Sequence, residues 1–264
     1  MTPAPRNTPF DQVIARINAA RYHNQRQQIH SDVVSEGIHA DLLKTCEKFK
    51  QDHDQSVVKK WINVKTPGDR ERNIDLFVGE ADPAAPDKPK LGLVRFCVEN
   101  KSVVTAHRNR TNRFDDLDKI MGSLHAVRSQ AVIVATVLVG VSSRYLNVAD
   151  EIKKRVSNFD RKVLPRLSSG DEKLWKDFPY AVSNNGPHDA ERTLAKLRQL
   201  AVRDPGLTHE RGFDYLLLVP VHIDNVNPAS IARDNPYGID FDKDYALMLK
   251  TICAAYRARW HTMA

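Results

Sequence analysis

The stretch LGLVRFCVENKS, Leu91 to Ser102, reads as a core strand that ends in charge. Its apolar run predicts burial through Val98, after which Glu99 and Lys101 stand two residues apart. Side chains alternate along a strand, so Glu99 and Lys101 share one face. Asn100 points the other way, and its backbone carbonyl remains available as a ligand.

Working outward, IDLFVG (Ile74 to Gly79) predicts a short strand, separated from the first by the proline-rich loop EADPAAPDKPK, Glu80 to Lys90. Val57 to Val64 is rich in β-formers, and PGDRERN, Pro67 to Asn73, is a polar turn. Before these, Phe10, Val13, Ile14 and Ile17 trace an amphipathic helix from Phe10 to Ile29. Ser31 and Asp32 offer capping oxygens for a second helix to about Lys50, striped by Val34, Ile38, Leu42, Cys46 and Phe49. After a basic loop come a helix from Arg113 to Arg128, a doubly buried strand from Ala131 to Val141, and a helix from Tyr145 to Val163. Leu164 to Gly212 is less legible, with a helix expected over Ala190 to Val202. YLLLVPVHI, Tyr215 to Ile223, is a strand whose Pro220 suggests an edge or bulge. A last helix runs from Asp242 to Trp260. This order predicts an α/β fold, a mixed β-sheet flanked by helices on both faces. One domain is expected over residues 1–264, with a core at about 31–141 and an elaboration at about 164–212.

Composition sets outer limits. The chain has 264 residues, 41% hydrophobic and 28% charged, as in an ordinary globular protein. Its longest apolar run, AVIVATVLVGV, is strand length and too short to span a bilayer, so no membrane association is expected. The N-terminal MTPAPRNTPF has no apolar signal core, and nothing directs export. Cys46, Cys97 and Cys253 form no C-x-x-C pair, which predicts buried reduced thiols and a cytoplasmic location. The formal charge of +7, from 40 Lys+Arg against 33 Asp+Glu, is compatible with a polyanionic partner. No Walker loop, G-x-G-x-x-G or G-x-S-x-G occurs, so no nucleotide cofactor and no serine-hydrolase chemistry is expected.

The chemistry lies at the end of the opening strand. If the Ile74 and Leu91 strands form an antiparallel hairpin, Asp75 at the start of one meets Glu99 at the end of the other. Two converging carboxylates make an oxygen-rich site for a hard cation such as Mg²⁺, with Asp75, Glu99 and the Asn100 carbonyl as ligands. Without a cation the pair would suffer desolvation and mutual repulsion. Lys101 alongside could orient an attacking water and stabilise charge developing on a phosphorane. Such a cluster suits in-line hydrolysis of a phosphodiester.

Asp75, a gap, and an apolar strand ending Glu99-Asn100-Lys101 resemble the PD-(D/E)xK nuclease superfamily, to which many type II restriction endonucleases belong. The order of elements from Ser31 to Val141 is similar to that family's core. Ile74 stands where the family carries proline, and the Pro-Gly-Asp at Pro67 to Asp69 is a competing placement for the first acid. The resemblance implies a Mg²⁺-dependent DNA endonuclease, with Asp75, Glu99 and Lys101 catalytic and Glu36 of the first core helix a further candidate. It also implies double-stranded DNA as substrate and a homodimer matched to a palindromic site.

Past Lys101, SVVTAHRNRTNR supplies His107, Arg108, Asn109, Arg110, Thr111, Asn112 and Arg113 as candidate DNA-binding residues. Arginine neutralises phosphates or pairs with guanine, and asparagine pairs with adenine. Simpler readings stand beside these: a salt bridge at a strand end, a solvated Glu36, and a solvated basic loop capping the next helix. The rival functions are a repair or antiphage nuclease without sequence specificity, and a non-catalytic nucleic-acid-binding module.

Overall fold

The computed structural model describes residues 7–20, 28–65, 73–104, 107–146, 154–163, 182–204, 210–225, 227–234 and 236–260, with isolated positions between 165 and 173. In chain order its strands are β1 (Val58–Lys65), β2 (Asn73–Glu80), β3 (Val94–Val103), β4 (Val132–Gly140), β5 (Arg144–Leu146), β6 (Val182–Asn184), β7 (Tyr215–His222) and β8 (Ser230–Ile231). The helices are α1 (Pro9–Ala20), α2 (Gln28–Thr45), α3 (Glu47–Asp54), α4 (Arg110–Val127), α5 (Asp189–Leu197) and α6 (Phe241–Arg259).

Six strands make one mixed sheet in the order β1-β2-β3-β4-β7-β8. β1, β2 and β3 pair antiparallel, whereas β3–β4 and β4–β7 are parallel. β4 shows why the sheet is covered twice. Val132 and Val134 enter the core built with α1, α2, α3 and α6, while Ile133, Ala135, Val137 and Val139 enter the one built with α4 and α5. A strand apolar at nearly every position needs a layer on both sides. The fold is therefore α/β, as the sequence predicts. Among the described residues, no helix is long and apolar enough to cross a membrane.

Several local expectations change. Ser31 and Asp32 lie inside α2 rather than capping it, because their side chains bond to the sheet. Tyr145 does not open a helix: it pairs with Ser183 in the β5–β6 ribbon and is fully buried, so tertiary pairing overrides the helical period. Residues 147–153 of that expected helix lie outside the described residues, and Phe159–Val163 is a π-helical turn. Pro220 sits within β7, with its carbonyl accepting from Ala232 N–H beside the short β8. A residue's N and O point to the same side of a strand, so the missing N–H faces β8 rather than the β4 ladder.

The cysteines depart furthest from expectation. Cys46, between α2 and α3, is disulfide-bonded to Cys253 of α6 with a Cα separation of 5.4 Å, and only Cys97 is a buried free thiol. Spacing along the chain carries no information about two helices that meet across 207 positions. Just before β7, fully buried Asp214 accepts from Arg203 and Arg259, and its Oδ2 also takes the Ile133 N–H at 2.8 Å. These contacts anchor the start of β4 to β7 and to the end of α6.

Candidate active site

The β2–β3 register runs Phe77 opposite Cys97 and Leu76 opposite Val98. One further step sets Asp75 against Glu99, the pairing that the hairpin requires. The Asn100 N–H donates to Asp75 Oδ2 at 2.7 Å, and the Lys101 ammonium pairs with Glu99 Oε1. Glu99 is 2% exposed and Asp75 7%, whereas the Lys101 side chain keeps 21% and reaches toward solvent. Glu99 Oε2 is buried with no hydrogen-bond partner.

That environment disfavours negative charge. Burial pushes the Glu99 carboxyl up to about 7; the Asp75 charge adds to the rise, while the Lys101 ammonium and the Asp75 N–H oppose it. Burial also raises Asp75, against the Asn100 N–H, the Ser31 hydroxyl and Lys101, with the charge of Asp32 pushing further upward. Two acids that resist ionising together are the arrangement a cation relieves.

α2 supplies the second wall. Asn100 points to the side of the sheet opposite Glu99 and Lys101, and its amide nitrogen reaches Ser35 Oγ at 2.9 Å and Ser31 Oγ at 3.2 Å. The acid that α2 brings near Asp75 is Asp32, which also accepts from Asn63 Nδ2 at 3.1 Å. Asn63 lies in β1 with a left-handed φ of 57°, a conformation asparagine tolerates better than most residues. Glu36 is placed elsewhere: one turn further along α2 it is exposed and pairs with Lys60 of β1. In the sequence Asp32 reads as a helix cap. The available signal was Ser31 and Ser35, an i,i+4 polar pair flanking the apolar stripe of a helix due to pack on a sheet.

The basic loop is shorter than its sequence suggests. His107–Asn109 is a single 3₁₀ turn and α4 already begins at Arg110. His107 is buried, with Nδ1 2.8 Å from Thr193 Oγ1 of α5, and burial lowers its pKa; it is a packing residue between two helices and not part of an exposed face. Asn109, Thr111 and Asn112 are exposed. Arg110 donates to the His107 carbonyl at 3.1 Å, and Arg113 pairs with Asp116 at 3.4 Å. The Arg108 side chain lies outside the described residues, as does the competing Pro67 to Asp69 acid.

Among the described residues, no three His, Cys, Asp or Glu side chains converge as a metal-holding group. A two-carboxylate site does not need a third. Mg²⁺ is commonly held by one or two carboxylates, with water and substrate phosphate completing its shell. Asp75 and Glu99, with the unpartnered Glu99 Oε2, fit that pattern. Comparison with family models, with curated proteins and with solved structures found no match, so the nuclease resemblance stands on these residues alone.

Proposed function

We propose that this chain is a Mg²⁺-dependent endonuclease that hydrolyses DNA phosphodiester bonds, cutting both strands at specific sites as type II restriction enzymes do. The observation that carries the reading is the meeting of Asp75 and Glu99 in one nearly dry site, with an orphaned carboxylate oxygen and Lys101 beside it. Mg²⁺, held by Asp75, Glu99 and the Asn100 carbonyl, would supply Lewis-acid polarisation of a phosphoryl oxygen and acidify a bound water. Lys101, the most solvent-accessible of the three, orients the attacking water and offsets the charge that builds on the phosphorane. Arg110 and Arg113 at the start of α4 neutralise backbone phosphates, while Asn109 and Asn112, both exposed, read base edges. A homodimer on a palindromic site and a cytoplasmic location belong to the same reading; the disulfide removes the argument from reduced thiols that supported the latter.

A second reading has its own support. The direct Lys101–Glu99 pair, and the lack of a third acidic or imidazole ligand among the described residues, are also what a structural ion pair in a DNA-binding module would show. Long unmethylated DNA incubated with the protein in Mg²⁺ or in EDTA separates the possibilities. Discrete bands that need Mg²⁺ are the expected result. A metal-dependent smear would indicate a nuclease without sequence specificity, and intact DNA in both would leave the binding module.

A further inference from the structure

Asn100 lies between the two charged residues of the strand end, and its side chain is turned away from both. On the far side of the sheet both ends of that amide are hydrogen-bonded. Its nitrogen, a donor of two hydrogens, faces three acceptors on α2: Ser35 Oγ at 2.9 Å, Ser31 Oγ at 3.2 Å and the Ser31 carbonyl at 3.3 Å. Its oxygen accepts from the Thr136 hydroxyl of β4 at 2.7 Å. Ser35 and Thr136 are themselves buried, at 0% and 2% exposure, so neither has water as an alternative partner.

Ser31 accepts from the Asn100 amide and favours the charged form of the neighbouring Asp75 carboxylate, which also receives the Asn100 backbone N–H. Asn100 therefore holds Asp75 directly through its main chain, and through its side chain it holds Ser31, a neighbour of Asp75. The same contacts fix how far α2, and with it Asp32, stands from the paired strands. Aspartate could not substitute: it has no donor for the Ser31 carbonyl and would add a third negative charge beside Asp75 and Glu99. A leucine would fill the space but strand the buried Ser35 and Thr136 hydroxyls.

We propose that the Asn100 side chain is the positioning residue of this site, locking α2 to β3 and β4 so that Asp75 is held in a metal-binding orientation. The proposal rests on the nuclease reading for its consequence but not for its geometry. Outer hydrogen-bond partners of this kind typically control metal affinity by about 10–100-fold.

The test uses the full-length protein and three variants, Asn100→Ala, Thr136→Val and Ser35→Ala. Mn²⁺ binding is titrated by calorimetry without DNA, and amide hydrogen exchange is followed along α2. Asn100→Ala should weaken Mn²⁺ binding about 10–100-fold and accelerate exchange of residues 28–35. A folded Asn100→Ala with wild-type Mn²⁺ affinity and wild-type α2 protection overturns the proposal. If the wild-type protein binds no Mn²⁺ and cuts nothing, the nuclease reading fails by itself; the exchange measurement then still decides whether Asn100 holds α2. Should Asn100→Ala not fold, Thr136→Val and Ser35→Ala, each removing one bond, carry the same comparison. Unaltered exchange and affinity in both would refute the role.

Discussion

Replacing Glu99 by glutamine should relieve a pH-dependent weakness that the wild-type fold carries in the absence of a cation. In the folded chain burial lifts this carboxyl from its ordinary value of 4.5 to about 7. Between those two values the folded protein holds a proton that the unfolded chain has released, so stability falls as pH rises through this window. The displacement corresponds to about 3 kcal/mol once both states are ionised, and about 2–3 kcal/mol of it is lost between pH 5 and pH 8. Glutamine cannot ionise, and Lys101, with a partly exposed side chain, can turn its ammonium to water. Urea denaturation at the two pH values in EDTA, on wild type and Glu99→Gln, isolates this contribution because other titrating groups are common to both. The wild type should lose about 2–3 kcal/mol more than the variant. Adding Mg²⁺ at pH 8, to a concentration near 100 times its dissociation constant, should return about 2.7 kcal/mol to the wild type and little to the variant. Equal pH dependence in the two proteins would refute the claim that Glu99 is an unsatisfied acid.

Cleaving the Cys46–Cys253 bond with reductant, or replacing Cys46 by serine, should lower stability by about 5 kcal/mol, the chain-entropy value for a closed loop of 207 residues; an unchanged denaturation midpoint would mean the thiols are not bonded. Asp214→Asn leaves Arg203 and Arg259 buried without their carboxylate and should destabilise the fold by about 3–5 kcal/mol, read by the same denaturation. Arg110→Ala should reduce the salt dependence of duplex binding by about one phosphate contact; an identical salt slope removes Arg110 from the interface. His107→Ala, by contrast, should lower thermal stability and leave that slope alone, since the ring packs against Thr193.

The sheet was legible because its strands write their burial into composition. β4 is apolar at nearly every position, and β2 and β3 are separated by a loop too proline-rich to be anything else. The same alternation placed Glu99 and Lys101 on one face and Asn100 on the other, and the hairpin register then brought Asp75 alongside. What the chain did not disclose depends on which helix meets which strand. Ser31 and Asp32 carry good capping chemistry, and only the docking of α2 onto Asn100 and Asn63 shows that their oxygens serve the sheet. Glu36 has the right residue type and lies one turn too far along the helix. Tyr145 fits a helical stripe, but the β5–β6 pairing is a long-range contact with no local signature. The disulfide is hidden in the sequence for the same reason: its partners are close only after α2, α3 and α6 have packed.

The most direct test of the central claim is the rate at which supercoiled plasmid is cut in Mg²⁺ by the wild-type protein and by Lys101→Ala, with an EDTA control. If the charge at the end of β3 is catalytic, the wild type converts plasmid to linear product only with the metal. Lys101→Ala, folded and still binding DNA, should then be slower by at least about 100-fold, the lower range for removal of a group that acts on transition-state charge or proton transfer. Wild-type plasmid left supercoiled in Mg²⁺, or cut equally fast by Lys101→Ala, would contradict the account and leave Glu99 and Lys101 as an ion pair closing a strand.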